Sequence, residues 1–153
     1  MPTSETNDKR IPRAALVTGL GGLIPFWFLS LSPLMNPDFS PVIALFVLNT
    51  YGAVILSFVG AIWWGLAVAI PDAPRTKMFC WSVVPALLGW VAAVPYMPAD
   101  LGMLILMSGF ALQWIMDIVL FPRIAIAVWV LKLRTILTIG VLASLVCAWW
   151  LLV

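Results

Sequence analysis

"VIALFVLNTYGAVILSFVGAIWWGLAVAI", Val42–Ile70, contains neither a charged residue nor a proline. This run decides the fold. It exceeds the ~20 residues a helix needs to cross a hydrocarbon core, and so predicts a membrane helix that tilts or extends beyond the lipid. Four further apolar runs accompany it, at Ala14–Leu31, Met78–Val94, Leu101–Leu120 and Thr135–Val153. Between the runs lie "SPLMNPDFSP", "PDAPRTK", "PYMPAD" and "FPRIAIAVWVLKLR", whose prolines end helices and set turns. The expected fold is all-α: a flexible polar tail over residues 1–13, then a five-helix transmembrane domain over 14–153. The first run contains Pro25 and is longer than the roughly 7–15-residue core of a cleaved signal peptide, so it is kept as a helix.

Composition points the same way. Of 153 residues, 64% are hydrophobic and 9% charged, against about 25% charged in soluble domains. A chain this small cannot hide such an excess in a core, whereas a bilayer accommodates it with helices whose backbone groups bond internally. The lipid bilayer is thus the first expected partner. The net charge of +2 gives no footprint for nucleic acid, which is not expected as a partner.

The eight basic residues set the orientation. Lys9, Arg10 and Arg13 precede the first run, Arg75 and Lys77 join the second to the third, and Arg123, Lys132 and Arg134 join the fourth to the fifth. The two alternate connections carry only Asp38 and Asp100. With five crossings all the cations share one side, which the positive-inside rule makes cytoplasmic, or the matrix of a mitochondrion. The N-terminus is then inside and the C-terminus outside. Trp63, Trp64, Trp81 and Trp129 fall toward the inner interface, and Trp27, Tyr96, Trp149 and Trp150 toward the outer. Indole favours that boundary, so Trp63 and Trp64 are read first as an aromatic belt and second as a ligand contact.

Several polar groups lie within the apolar runs. Asn49, Ala53, Ser57, Ala61, Gly65 and Ala69 recur every four residues, broadened by Gly52 and Gly60. Such a stripe lets helix backbones approach closely. Ala15, Thr18, Gly19 and Gly22 offer a matching surface, which predicts the first helix on the second, with Asn49 or Ser57 bonding across. Asn49, Thr50 and Tyr51 form a polar cluster toward the outer side whose partners remain open. Asp117 is the one acid well inside a run; it shares a face with Gln113 and approaches Trp114. A carboxylate at a helix centre costs about 2.5–3.5 kcal/mol to insert, so it must face protein or water. Two roles compete for it: an ion pair with Arg123, Lys132 or Arg134 at the inner interface, or a proton or cation site. "WVLKLRT" (Trp129–Thr135) reads as an interfacial segment whose Lys132 and Arg134 reach toward lipid headgroups or Asp117.

Enzyme signatures are lacking. There is no histidine, no phosphate-binding loop and no nucleophile–base pair, and "GLGG" (Gly19–Gly22) lies inside a membrane run where a dinucleotide loop has no context. Cys80 and Cys147 fall at opposite faces, too far apart for a disulfide. No cofactor and no metal are expected.

The segments "IPRAALVTGLGGLIPF" (Ile11–Phe26), "YGAVILSFVGAIWWG" (Tyr51–Gly65), "SVVPALLGWVA" (Ser82–Ala92), "GFALQWIMD" (Gly109–Asp117) and "LKLRTILT" (Leu131–Thr138) together resemble the domain-of-unknown-function 3429 family. The resemblance covers nearly the whole membrane region and implies a small polytopic protein of bacterial inner or mitochondrial inner membranes. It implies no activity and no catalytic residues. Trp63 departs from the pattern, since members often carry histidine or another polar residue there. The expected function is a non-enzymatic accessory or assembly protein, contacting a membrane-protein partner or a second copy through small-residue faces. The alternatives are a small-molecule or ion carrier using Asp117, Gln113 and the Asn49–Ser57 stripe, and a binder of lipid or a hydrophobic cofactor at Trp63 and Trp64.

Overall fold

A computed structural model describes residues 10–71, 74–120 and 128–153. The chain is all-helical, with no strand among these residues. The helices are α1 (Arg13–Gly21), α2 (Ile24–Ser30), α3 (Ser32–Met35), α4 (Pro41–Ala69), α5 (Arg75–Ala92), α6 (Ala99–Leu120) and α7 (Val128–Leu152). Four stretches among them are long and apolar enough to cross a membrane: Arg13–Ser30, Pro41–Ala69, Ala99–Leu120 and Val128–Leu152. α5 is not among them, because Arg75 and Lys77 occupy its first turn and lower its mean hydropathy.

The first run is broken where the expectation had one helix. α1 stops at Gly21 and α2 resumes at Ile24. Pro25 has no N–H to return to the carbonyl of Gly21, four residues earlier, and the Gly21–Gly22 pair resists helical continuation. α4, by contrast, is uninterrupted. Pro41 sits in its first turn, where a missing N–H costs nothing, and Pro71 follows just beyond its end. Its 29 residues span about 44 Å at 1.5 Å per residue, more than the ~30 Å of a hydrocarbon core.

Contacts along the helices give their directions. A Cβ on Gly60 would meet the Pro85 ring and one on Gly89 would meet Ala53, so α5 runs antiparallel to α4. Gly52 faces Leu106 and Gly109 faces Leu56, so α6 runs parallel to α4. Gly19 faces Leu137 and Gly140 faces Leu23, so α7 runs alongside the first run in the same direction. Arg13, Arg75, Lys77 and Lys132, near the starts of three parallel helices, therefore share one end of the bundle.

The small-residue stripe of α4 does not pack on the first helix, contrary to the expectation from sequence; the first run meets α4 instead at Tyr51, through Phe26 and the Gly22 carbonyl. The stripe's close partner is α5. A Cβ at Gly60 would come within 2.8 Å of the Pro85 ring, and one at Gly89 within 2.9 Å of the Ala53 carbonyl. The reason is rotational. Each four-residue step overshoots a helical turn by about 40°, so five steps wind about 200° around the helix. Asn49 and Ala53 are consequently buried, whereas Ala61, Gly65 and Ala69 are exposed.

Phe26, Leu48, Leu56, Met103, Leu106 and Leu145 anchor the main core at mid-height. There Phe26 packs edge-on against Tyr51 and Phe110, with ring centroids 5.0 and 6.1 Å away. A second cluster, Trp63, Ala67, Met78 and Leu120, closes the basic end. The outward faces are apolar, among them Val42, Val54, Phe58, Ile139 and Trp150, as lipid-facing surfaces must be.

Candidate functional site

Polar side chains inside the bundle converge on Asp117. It stands one turn from the end of α6, with Gln113 one turn before it on the same face. Both are buried, at 1% and 2% exposure. One carboxylate oxygen, Oδ1, accepts from Trp63 Nε1 at 2.9 Å and from Gln113 Nε2 at 2.8 Å. The other, Oδ2, accepts from Arg134 Nε in an ion pair. The guanidinium also donates from a terminal nitrogen to the Val59 carbonyl at 3.4 Å. Gln113 is held in turn by Trp81, whose Nε1 donates to its Oε1 at 3.1 Å. Four helices thus join through one carboxylate: α4 by Trp63 and Val59, α5 by Trp81, α6 by Asp117 and Gln113, and α7 by Arg134.

The network selects one of the three basic partners open to Asp117 in the sequence. Lys132 is exposed, and Arg123 lies outside the described residues. Arg134 is 8% exposed and stands inside the bundle, so of the two targets open to it, lipid headgroups and Asp117, it takes Asp117. α7 begins at Val128 rather than Thr135, so the side chain projects from its second turn inward against α4 and α6. The neighbouring Thr135 accepts from Trp114 Nε1 at 3.0 Å, adding a second bond between α6 and α7.

The two adjacent tryptophans part company. Trp63 is fully buried on Asp117, so its assignment to an aromatic belt is corrected. Trp64 is 52% exposed and lies edge-on to Phe79. Successive residues on a helix point about 100° apart, so the pair does not form one contact surface.

The outer polar cluster also resolves. Tyr51 donates its phenol to the Gly22 carbonyl at 2.9 Å, at the break between α1 and α2. Asn49 donates to the Ala99 carbonyl at the start of α6 at 2.9 Å, and Thr50 returns to its own helix at Phe46. Ser57 likewise bonds within α4, donating to the Ala53 carbonyl at 2.7 Å, rather than across to the first helix. Asn49 Oδ1 is buried with no hydrogen-bond partner among the described residues. Ser30 joins α2 to α7 by donating to the Ser144 carbonyl at 2.9 Å, a contact with no local signal in the sequence.

Beside the network lies a cleft of about 450 Å³ between α1, α4 and α7, floored by α6. Gln113 and Arg134 line its buried end; Asp117 is not among its lining residues. The rest of the wall is largely apolar, from Ile55, Phe58, Phe110, Leu137 and Val141. Among the described residues no cluster of three or more cysteine or acidic side chains could hold a metal ion.

Two relatives share the sequence. Transmembrane protein 69 of Xenopus tropicalis is 37% identical over 142 residues, which cover 90% of this chain and 54% of that protein. Transmembrane protein 69 of Mus musculus is 36% identical over 83 residues, covering 53% of this chain and 34% of that protein. The chain therefore spans about half, or less, of the length of these curated relatives. No solved structure matches it. The family profile described as "protein of unknown function (DUF3429)" matches residues 11–150, essentially the whole helical bundle with its Asp117 network, and the chain belongs to that family.

Proposed function

We propose that this multi-pass membrane protein is a non-enzymatic accessory or assembly protein, acting by helix contact with another membrane protein or a second copy. Its membrane would be the bacterial inner membrane, or the mitochondrial inner membrane in a eukaryotic cell. The observation that carries the reading is the closure of the Asp117 network. Both carboxylate oxygens accept from within the bundle, and the carboxylate does not line the neighbouring cleft. A transporting or catalytic acid needs a face open to solute or substrate; this one is committed to holding helices together. The exposed half of the α4 stripe, Ala61, Gly65 and Ala69, leaves a smooth face for another helix.

Five crossings, with the N-terminus inside and the C-terminus outside, belong to the same proposal. α5 lies along α4 through Ala53–Gly89 and Gly60–Pro85, within the same depth of the bundle. Its 18 residues reach about 27 Å, close to a hydrocarbon thickness. Counting it as a crossing puts the described cations Arg13, Arg75, Lys77 and Lys132 on one side.

Affinity purification of the full chain from native membranes in mild detergent, followed by mass spectrometry, tests the function. A stoichiometric membrane partner or a homo-oligomer is expected. Ala61→Leu and Gly65→Leu should release it without lowering the unfolding midpoint, since both positions are exposed and a Cβ on Gly65 meets nothing within 4 Å. A monomer without partner, together with a solute flux abolished by Asp117→Asn at normal abundance, would establish the carrier instead. A C-terminal reporter facing the cytoplasm would overturn the five-crossing topology.

A further inference from the structure

The two halves of the first run are held very differently. Of the nine residues of α1 none is buried, whereas α2, with seven, buries Phe26, Leu29 and Ser30. Leu23, just before α2, lies so close to α7 that a Cβ on Gly140 would come within 2.6 Å of its side chain. Phe26 packs edge-on against Tyr51 and Phe110, and Ser30 donates to the Ser144 carbonyl at 2.9 Å. The ties of α1 are softer. Gly19 rests on the side chains of Leu137 and Leu133, and the Thr18 hydroxyl turns back to the Ala14 and Ala15 carbonyls of its own helix. The main chain is also interrupted between the halves. The Gly22 N–H is shared between the Thr18 and Gly19 carbonyls at 3.2 and 3.1 Å, and the Leu23 N–H reaches Leu20, three residues back, at 3.0 Å. The α2 ladder resumes with the Trp27 N–H on the Leu23 carbonyl at 3.1 Å. Pro25, in between, has no N–H for the Gly21 carbonyl. The Gly22 carbonyl is held from the side, by the Tyr51 phenol at 2.9 Å.

We propose that α1 is a lid on the cleft between α1, α4 and α7. It swings as a unit about residues 21–23, with α2 as its fixed base and the Tyr51 phenol as its latch. α1 supplies Ala15, Thr18 and Gly19 to the cleft wall, and α7 supplies Leu133, Leu137 and Thr138. Parting these two helices opens the cleft sideways to the bilayer. The motion costs little there. Lipid tails are as apolar as the side chains they replace, so α1 leaving α7 gives up packing but no hydrophobic burial. Low-energy opening concentrates in segments with few buried contacts, and hinges fall at the ends of elements; α1 and its junction with α2 meet both conditions. Asp117 does not line the cleft, so its bonds to Trp63 and Gln113 persist as the lid moves. The lid is independent of the accessory reading, which concerns the outer face of α4.

The test is double electron–electron resonance on the full chain in phosphatidylcholine nanodiscs, with Cys80→Ser and Cys147→Ser removing the native thiols. Nitroxides on Val17→Cys and Ile136→Cys measure α1 against α7; nitroxides on Phe28→Cys and Val146→Cys measure α2 against α7. These side chains are all exposed, so the labels face lipid. The α1–α7 pair should show two distances and the α2–α7 pair one. Tyr51→Phe removes the latch and should raise the ratio of the longer to the shorter α1–α7 distance about threefold, the shift that follows from losing one average interhelical hydrogen bond. Gly19→Leu should raise it as well, since its Cβ alone would come within 3.0 Å of Leu137. Neither variant should alter the α2–α7 distance. A single α1–α7 distance as narrow as that of α2–α7 overturns the lid. Two distances in both pairs overturn it too, because the whole first run would then move. An unchanged ratio in Tyr51→Phe overturns the latch. Should a variant lose its monodisperse profile on size exclusion, the two labelled pairs without further substitution decide alone.

Discussion

Replacing Asp117 with asparagine keeps the size and shape of the side chain, yet the network cannot absorb the change. Oδ1 receives two donors, Trp63 Nε1 and Gln113 Nε2, and Oδ2 receives Arg134 Nε. Asparagine has one accepting oxygen and one NH2 group. In one orientation the amide nitrogen faces Arg134; in the other it faces both Trp63 and Gln113. Donor meets donor either way, and Arg134, which is 8% exposed, loses its counter-charge. Breaking a buried pair by removing one partner costs about 3–5 kcal/mol, and that is the expected loss. The assay is unfolding of the detergent-solubilised chain in increasing dodecyl sulfate, followed by circular dichroism and tryptophan fluorescence.

A double-mutant cycle separates the pair from the rest of the network. Arg134→Met alone leaves a buried carboxylate with only Trp63 and Gln113 as donors. With Asp117→Asn also present, no uncompensated charge remains, so the double variant should cost less than the sum by about 2–3 kcal/mol. It should still fall short of the native chain, because the Val59 carbonyl loses its guanidinium donor. Were Asp117→Asn to shift stability by less than about 0.5 kcal/mol, as substitutions at exposed sites do, the carboxylate would face water and the closed network would be wrong. Strict additivity in the cycle would refute the pairing itself.

Three further outcomes are expected. Gly89→Ala places a Cβ 2.9 Å from the Ala53 carbonyl, which is backbone and cannot yield; overpacking of this kind costs about 1–3 kcal/mol. Gly65→Ala meets nothing within 4 Å and should be neutral or gain up to about 1 kcal/mol in helix propensity; thermal unfolding in detergent compares the two, and equal effects would dismiss α5 as the close partner of α4. Tyr51→Phe removes the bond to the Gly22 carbonyl and should cost about 0.6–1 kcal/mol. Its hydrogen-exchange signature should be confined to the junction of α1 and α2, and faster exchange spread through α4 would contradict that role.

How much of this was legible in the sequence depends on whether the signal was local. The apolar runs, the proline-rich connections and the Gln113–Asp117 spacing are local, and each could be read directly. The identity of the Asp117 partner was narrowed to three cations but not chosen, because the choice turns on where α7 begins. "WVLKLRT" (Trp129–Thr135) has the composition of an interfacial segment, and the helix nonetheless takes in Val128 onward, carrying Arg134 to the level of Asp117. The break in the first run was signalled by Gly21, Gly22 and Pro25, but glycine and proline are tolerated inside membrane helices when neighbours satisfy the backbone. Tyr51 is that neighbour, and only the tertiary structure brings it to the Gly22 carbonyl.

Trp63 shows most clearly why an averaged rule failed. A tryptophan near the end of a membrane helix is expected at the lipid interface, since its N–H seeks a polar partner that the hydrocarbon does not offer. Here the partner is a carboxylate at the same depth on α6, so the same chemical demand draws the ring inward. The demand is mutual: a buried carboxylate beside an arginine still has lone pairs to fill, and indole fills one while contributing a large apolar surface to the cluster of Ala67, Met78 and Leu120. Trp81 extends the logic by one residue, fixing the Gln113 amide so that its nitrogen faces Asp117. Two tryptophans, a glutamine and an arginine thus hold one acid in an apolar bundle. That arrangement explains how the chain carries a charge inside an apolar bundle.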